Sequence, residues 1–173
     1  GKILSLISDA GTPLLSDPGK LLVNECIKNN IQVTPVPGVS SITSALSVSG
    51  FNDQFLFYGF LPKTENELKK VLSSLSLHEY TQIFFIPSKK INFYINGFKK
   101  FYSGRKILIA KEITKIHEAF IREDIDKLKP LINSIKGELT IVISENDKKV
   151  KKFDEEKIVN KIKKYLKSYS LKD

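Results

Sequence analysis

The chain has one cysteine, two histidines, and no methionine or tryptophan among its 173 residues. A single cysteine excludes an internal disulfide and fits a reducing compartment, so a cytoplasmic setting is expected. Cys26 shares an apolar helical pattern with Leu21 and Leu22, which reads as a small buried side chain rather than a reactive thiol. No run of about 18 apolar residues is present to cross a bilayer, and no membrane partner is expected. His78 and His117 lack any CxxC, HExxH or clustered-carboxylate context, which argues against metal catalysis. GxGxxG, GxxxxGK[ST] and GxSxG patterns are all missing, which disfavours dinucleotide, NTPase and serine-hydrolase readings. The lack of methionine, with a strand-like run already under way at Ile3, leads us to expect a segment of a longer polypeptide.

The apolar content of 41% can supply a core, and a chain of this length buries about 70% of its unfolded surface when it folds alone. The formal net charge is +9, of the sign that suits a polyanionic partner such as nucleic acid. Most of it is local. Residues 148–173 hold ten lysines against four acids, so six of the nine excess charges lie in the tail. That tail places Ile158, Ile162, Tyr165, Leu166 and Tyr169 on one face of an expected amphipathic helix, with lysines opposite.

Along the chain, residues 3–7 (ILSLI) read as a buried strand, and Asp17-Pro18 supplies cap and first-turn chemistry for a helix to about Asn29. Residues 31–34 read as a second strand, and Ser40 or Ser41 caps a helix over 42–48. Strand, helix, strand, helix at this spacing predicts a parallel sheet. From Phe51 the pattern predicts strands at 55–60, 83–86, 106–111, 119–121 and 139–143, with helices at 65–77, 91–102 and 125–135. The expected organisation is α/β in two domains: residues 1–50 with a parallel sheet, 51–147 with a mixed sheet, then the basic helix over 148–173.

Loops that follow strands carry the chemistry. In parallel α/β sheets the carboxyl ends of the strands share one edge, where ligands bind. Gly11 admits close ligand approach, Asp9 offers a carboxylate to hydroxyl or amine groups, and Ser40 and Ser41 expose hydroxyls at a helix start. The same residues also suit plain turn chemistry. Lys63, Lys89 and Lys90 follow strands and are candidate RNA contacts. Lys115, in the polar stretch 112–118, suits a phosphate contact or an ion pair, and is the candidate general base if the reaction requires a proton to be removed.

Five segments in order, SDAGTPLLSDPG, VTPVPGVSSITSALSVSG, FYGFLPK, KEITKIHE and GELTIVI, resemble the successive motifs of the tetrapyrrole-methylase superfamily. Within it they most resemble the ribosomal RNA small-subunit methyltransferase I family. The resemblance implies a homodimer that binds S-adenosylmethionine between two domains and methylates a cytidine ribose 2'-hydroxyl in small-subunit ribosomal RNA or the 30S subunit. Carried over by motif, Asp9, Ala10, Gly11 and Thr12 line the cofactor, as do Ser41 and Ile42, Ile86, and Leu139 and Thr140. The chain departs from the family in two places. It starts after the family's first strand and glycine-asparagine-leucine-glycine-aspartate loop, so an exposed edge of the first sheet is expected. It also reads Ile86-Pro87-Ser88-Lys89-Lys90 where relatives carry a glutamate and a histidine-arginine pair. The alternatives are a small-molecule tetrapyrrole methyltransferase and a catalytically silent RNA-binding fragment.

Overall fold

A five-stranded sheet organises the chain, in the order β1-β2-β5-β3-β4. Its strands are β1 (Phe55–Phe60), β2 (Thr81–Pro87), β3 (Lys106–Lys111), β4 (Ala119–Asp124) and β5 (Glu138–Ile143). This computed structural model describes residues 2–9, 11–131 and 137–146, and Lys163. Strand β1 runs parallel to β2, while β5 is antiparallel to both β2 and β3, and β4 is antiparallel to β3. The sheet is mixed, as the runs of consecutive strands imply. Strands β1, β2 and β3 therefore all point the same way and end at one edge.

Four helices with both ends among the described residues accompany it: α1 (Lys20–Lys28), α2 (Ser41–Ser47), α3 (Glu65–Leu75) and α4 (Ile91–Phe101). Helix α3 forms where Leu68, Leu72 and Leu75 recur at helical spacing, all buried. Thr64 precedes it in an extended conformation, and its hydroxyl donates to Glu67 at 2.6 Å, while Glu65 and Glu67 complement the positive end of the helix. Helix α4 buries Ile91, Tyr94, Ile95 and Phe98 and keeps Lys99 and Lys100 in its last turn. The two helices lie close together, because a Cβ at Gly97 would stand 2.9 Å from Leu72 Cδ1. They cover one face of the sheet through Phe84, Ile86, Ile107, Ile109, Leu139 and Ile141. Helix α2 covers the other face, with Ile42 and Ala45 against Ile83, Leu108 and Val142. Both faces of β2 are thus filled, which explains its almost unbroken apolar run.

Residues 2–40 depart from expectation. Neither 3–7 nor 31–34 forms a strand, and the parallel sheet expected in residues 1–50 is not formed among the described residues. A strand persists only in a ladder, and no described strand pairs with either run. Ile3, Leu4 and Ile7 are exposed instead. Helix α1 starts at Lys20, three residues beyond the expected cap, because Gly19 sits at φ 133°, far from helical backbone. Asp17 instead accepts a hydrogen bond from the Ser8 hydroxyl. No residue of α1 is buried, and Cys26 is half-buried rather than enclosed. Of the helix expected over 125–135, the described residues 125–131 form only a short 3-10 turn, Ile125–Lys127. Pro130 lacks an amide donor and holds Lys129 away from helical backbone. The helix expected over 148–173 lies outside the described residues except for Lys163.

Candidate functional site

The edge where β1, β2 and β3 end gathers the lysines singled out by sequence. Lys63 follows β1, Lys89 and Lys90 follow β2 in the 3-10 turn Ser88–Lys90, and Lys115 follows β3. All four are exposed. Buried Ser88 anchors the second of these loops, with its amide donating to the Gly137 carbonyl at 3.1 Å, just ahead of β5. Lys111, the last residue of β3, stands opposite Leu139 on one side and Ala119 on the other, which adds a fifth lysine to the edge.

The loop between β3 and β4 has a fixed shape. Glu112 and Thr114 adopt left-handed backbone, at φ 47° and 67°. This is a strained choice for a β-branched threonine. The Thr114 amide donates to Glu118 Oε2 at 2.6 Å, the Lys115 amide to the Glu112 carbonyl at 2.9 Å, and the Glu118 amide to the Lys115 carbonyl at 3.0 Å. Sequence reading did not find this constraint, since no glycine or asparagine marks the turn.

The residues expected around the cofactor fall into three groups. Asp9, Gly11 and Thr12 lie exposed in a loop, and Ala10 is outside the described residues. Gly11 has φ 75°, and nothing stands within 4 Å of where its Cβ would be, so a ligand can approach the backbone there. Farther along the same loop, Ser16 Oγ faces Gly59, where an added Cβ would be 3.1 Å away. Ser41 opens α2 half-buried, while Ile42 is packed against the sheet. Thr140 lies between Phe85 and Ala110 in register, on the α2 side. Ile86 and Leu139 pair in register, but their side chains are fully buried on the opposite face, under α3 and α4. Their only route to a ligand is the backbone. The ladder between β1 and β2 ends at Phe60 and Phe85, so among the described residues the β1 side of β2 has no strand partner from Ile86 onward.

A cleft of about 560 Å³ opens at the opposite edge of the sheet between Gly50, Phe51, Lys106, Arg122, Asp124 and Glu145. It contains none of the expected site residues. Its groups serve the fold: Arg122 Nη2 donates to the Val48 carbonyl at 2.5 Å, and Glu145 Oε2 accepts the Asn52 amide at 3.1 Å and the Thr81 hydroxyl at 3.2 Å. Partial burial works to raise the Glu145 pKa, but these hydrogen bonds and the charge of Arg105 outweigh it and hold the carboxyl below its ordinary 4.5.

The sequence pattern that defines the Tetrapyrrole (Corrin/Porphyrin) Methylases matches residues 2–129. The chain belongs to that family. It is 42% identical over 149 residues to the ribosomal RNA small subunit methyltransferase I of Rickettsia prowazekii, covering 84% of this chain and 53% of that protein. It is 38% identical over 152 residues to the protein of the same name from Thermotoga maritima, covering 83% of this chain and 66% of the relative. The chain thus spans about half to two thirds of the length of these relatives. Among solved structures, the methyltransferase CobJ superposes with a TM-score of 0.58 at 15% identity, covering 78% of this chain and 62% of that one. The uroporphyrin-III C-methyl transferase of Thermus thermophilus, complexed with S-adenyl homocysteine, gives 0.50 at 14% identity, covering 78% and 63%. Such distant likenesses establish the tetrapyrrole-methylase fold for this chain.

Proposed function

We propose that this tetrapyrrole methylase acts on small-subunit ribosomal RNA, transferring a methyl group from S-adenosylmethionine to the 2'-hydroxyl of a cytidine ribose. The observation that carries the RNA reading is the convergence of Lys63, Lys89, Lys90 and Lys115 on the edge where β1, β2 and β3 end. It is supported by the 42% identity to a ribosomal RNA small subunit methyltransferase I. Association as a homodimer in the cytoplasm, and the division at residues 50 and 147, belong to the same proposal.

The cofactor supplies an electrophilic methyl on a sulfonium. Asp9 has a carboxylate exposed to accept hydrogen bonds from an amine or hydroxyl, Gly11 leaves open backbone beside it, and Thr12 and Ser41 offer hydroxyls. These residues fit such a group. Ile42, Ile86, Leu139 and Thr140 contribute as buried supports, with any direct contact from Ile86 or Leu139 made by backbone. In-line methyl transfer asks the protein mainly to position the reacting atoms about 3 to 3.5 Å apart, so no nucleophilic triad is needed. Lys115 is exposed, whereas a lysine acting as base is usually desolvated. We therefore give it a phosphate contact rather than the base's role.

The test is RNA binding across a salt series. Replacing Lys89 and Lys90 together by alanine is expected to weaken binding of small-subunit ribosomal RNA. The slope of log affinity against log salt should fall by about one to two. An unchanged affinity and slope would remove this edge from RNA binding.

A further inference from the structure

Resting on the RNA reading above, we propose that Ile116 is an apolar wedge that packs against an unstacked base, while the lysines of the same edge hold the flanking phosphates. Ile116 is 97% exposed at the tip of the seven-residue β3–β4 loop, between exposed Lys115 and His117. Its exposure is enforced. The loop is closed at its base by the pairing of Lys111 with Ala119 and cross-linked by the Thr114–Glu118, Lys115–Glu112 and Glu118–Lys115 hydrogen bonds. Two non-glycine residues accept left-handed backbone to maintain that shape. One consequence is that Ile113 turns inward against the α2-side core while Ile116 points away from it.

An isoleucine held in water by a strained, hydrogen-bonded loop gains nothing for the fold, and such strain collects where a segment meets a ligand. The neighbours favour RNA as that ligand: lysines at 111 and 115 flank the tip, and Lys89 and Lys90 lie at the same edge after β2. The loop itself is charge-balanced, Lys111 and Lys115 against Glu112 and Glu118, with Glu118 accepting the Thr114 amide, so the excess positive charge at this edge comes from Lys63, Lys89 and Lys90. RNA that is read in sequence is read mainly where its bases are unstacked, and apolar side chains serve as surfaces or wedges for such bases. The pairing of an apolar tip with a basic surround suits a single-stranded or looped substrate and adds nothing for a fully paired helix.

The test uses the full chain with two RNA probes: a looped fragment of small-subunit ribosomal RNA and a fully paired duplex of equal length. Ile116→Ser is expected to weaken binding to the looped RNA about tenfold, with no change in salt slope, because the lost contact releases no counterion. Duplex binding should be unchanged, Ile116→Leu should restore most of the affinity, and the melting temperature of Ile116→Ser should match that of the unmodified chain. Looped RNA bound equally well by Ile116→Ser, while the Lys89 and Lys90 double variant still loses affinity and slope, would overturn the wedge and leave the RNA reading standing. Failure of the unmodified chain to bind either probe would overturn both. Unchanged RNA binding with loss of self-association in sedimentation would assign Ile116 to a contact between copies and overturn the proposal.

Discussion

Gly59 is confined by both its backbone and its neighbour. It sits at φ 85°, where β1 slips register against β2 between Phe57 and Gly59, and a Cβ would approach Ser16 Oγ to 3.1 Å. Gly59→Ala is expected to cost about 1–3 kcal/mol, read as a lowered denaturation midpoint. An unchanged midpoint would show that the bulge tolerates a side chain. Asp9 is tested by ligand rather than by stability: Asp9→Ala should leave the midpoint unchanged and weaken S-adenosylmethionine binding in calorimetry about tenfold, the worth of one charge-assisted hydrogen bond. Unmodified affinity would remove Asp9 from the cofactor's contacts.

Glu145 titrates in a defined direction. Its folded pKa lies below the ordinary 4.5, so its stabilising effect is complete above the unfolded value and is lost as pH falls through the folded one. Melting followed from pH 7 to pH 3 should show an acid-side loss that Glu145→Gln flattens. An identical acid limb in that variant would contradict the assignment. This role was not legible in sequence, since the partners Asn52 and Thr81 are distant along the chain and meet only when β2 and β5 pair. The lysines were legible as residues that follow strands, because that inference needs only strand ends.

At the scale of elements, strong periodicity located what the sheet could use. Helices α3 and α4 and strands β1, β3 and β5 appear within two residues of their expected bounds, because each buries its pattern against a partner present in the same chain. The apolar runs at 3–7 and 31–34 carry the same local signal, yet form no strand. Local pattern cannot report whether a ladder partner exists. The buried polar joint behind α3 and α4 was equally invisible. Tyr102 donates to Gln82 Oε1 at 2.5 Å, Gln82 Nε2 donates to the Leu75 carbonyl at 2.6 Å, and Arg105 Nη2 donates to the Ser76 carbonyl at 2.6 Å and lies over the Tyr102 ring. Burial pushes the Tyr102 phenol up, against the pull of Arg105, so it remains a neutral donor. Tyr102→Phe leaves the Gln82 oxygen buried without its donor, and should cost about 1–3 kcal/mol in chemical denaturation. A cost near zero would mean that the joint reorganises.

At the scale of the whole molecule, the sheet divides its labour between two edges. One, at the ends of β1, β2 and β3, presents lysines and the exposed Ile116 at the tip of the hydrogen-bonded β3–β4 loop. The other is tied together by Glu145, Arg122 and Arg105. The fully buried Ile86 and Leu139 link the first edge to the core beneath α4, and Ile42 links α2 to the opposite face. This arrangement accounts for a chain whose motifs match a methylase family while its exposed charge suits RNA. The measurement that tests the account most directly is transfer of an isotopically labelled methyl group. S-adenosylmethionine labelled in its methyl is incubated with the protein and, separately, with small ribosomal subunits or a precorrin-type tetrapyrrole. The account predicts label at the ribose 2'-oxygen of a cytidine in the ribosomal RNA and none on the tetrapyrrole. Label on the tetrapyrrole with unlabelled ribosomal RNA would contradict it.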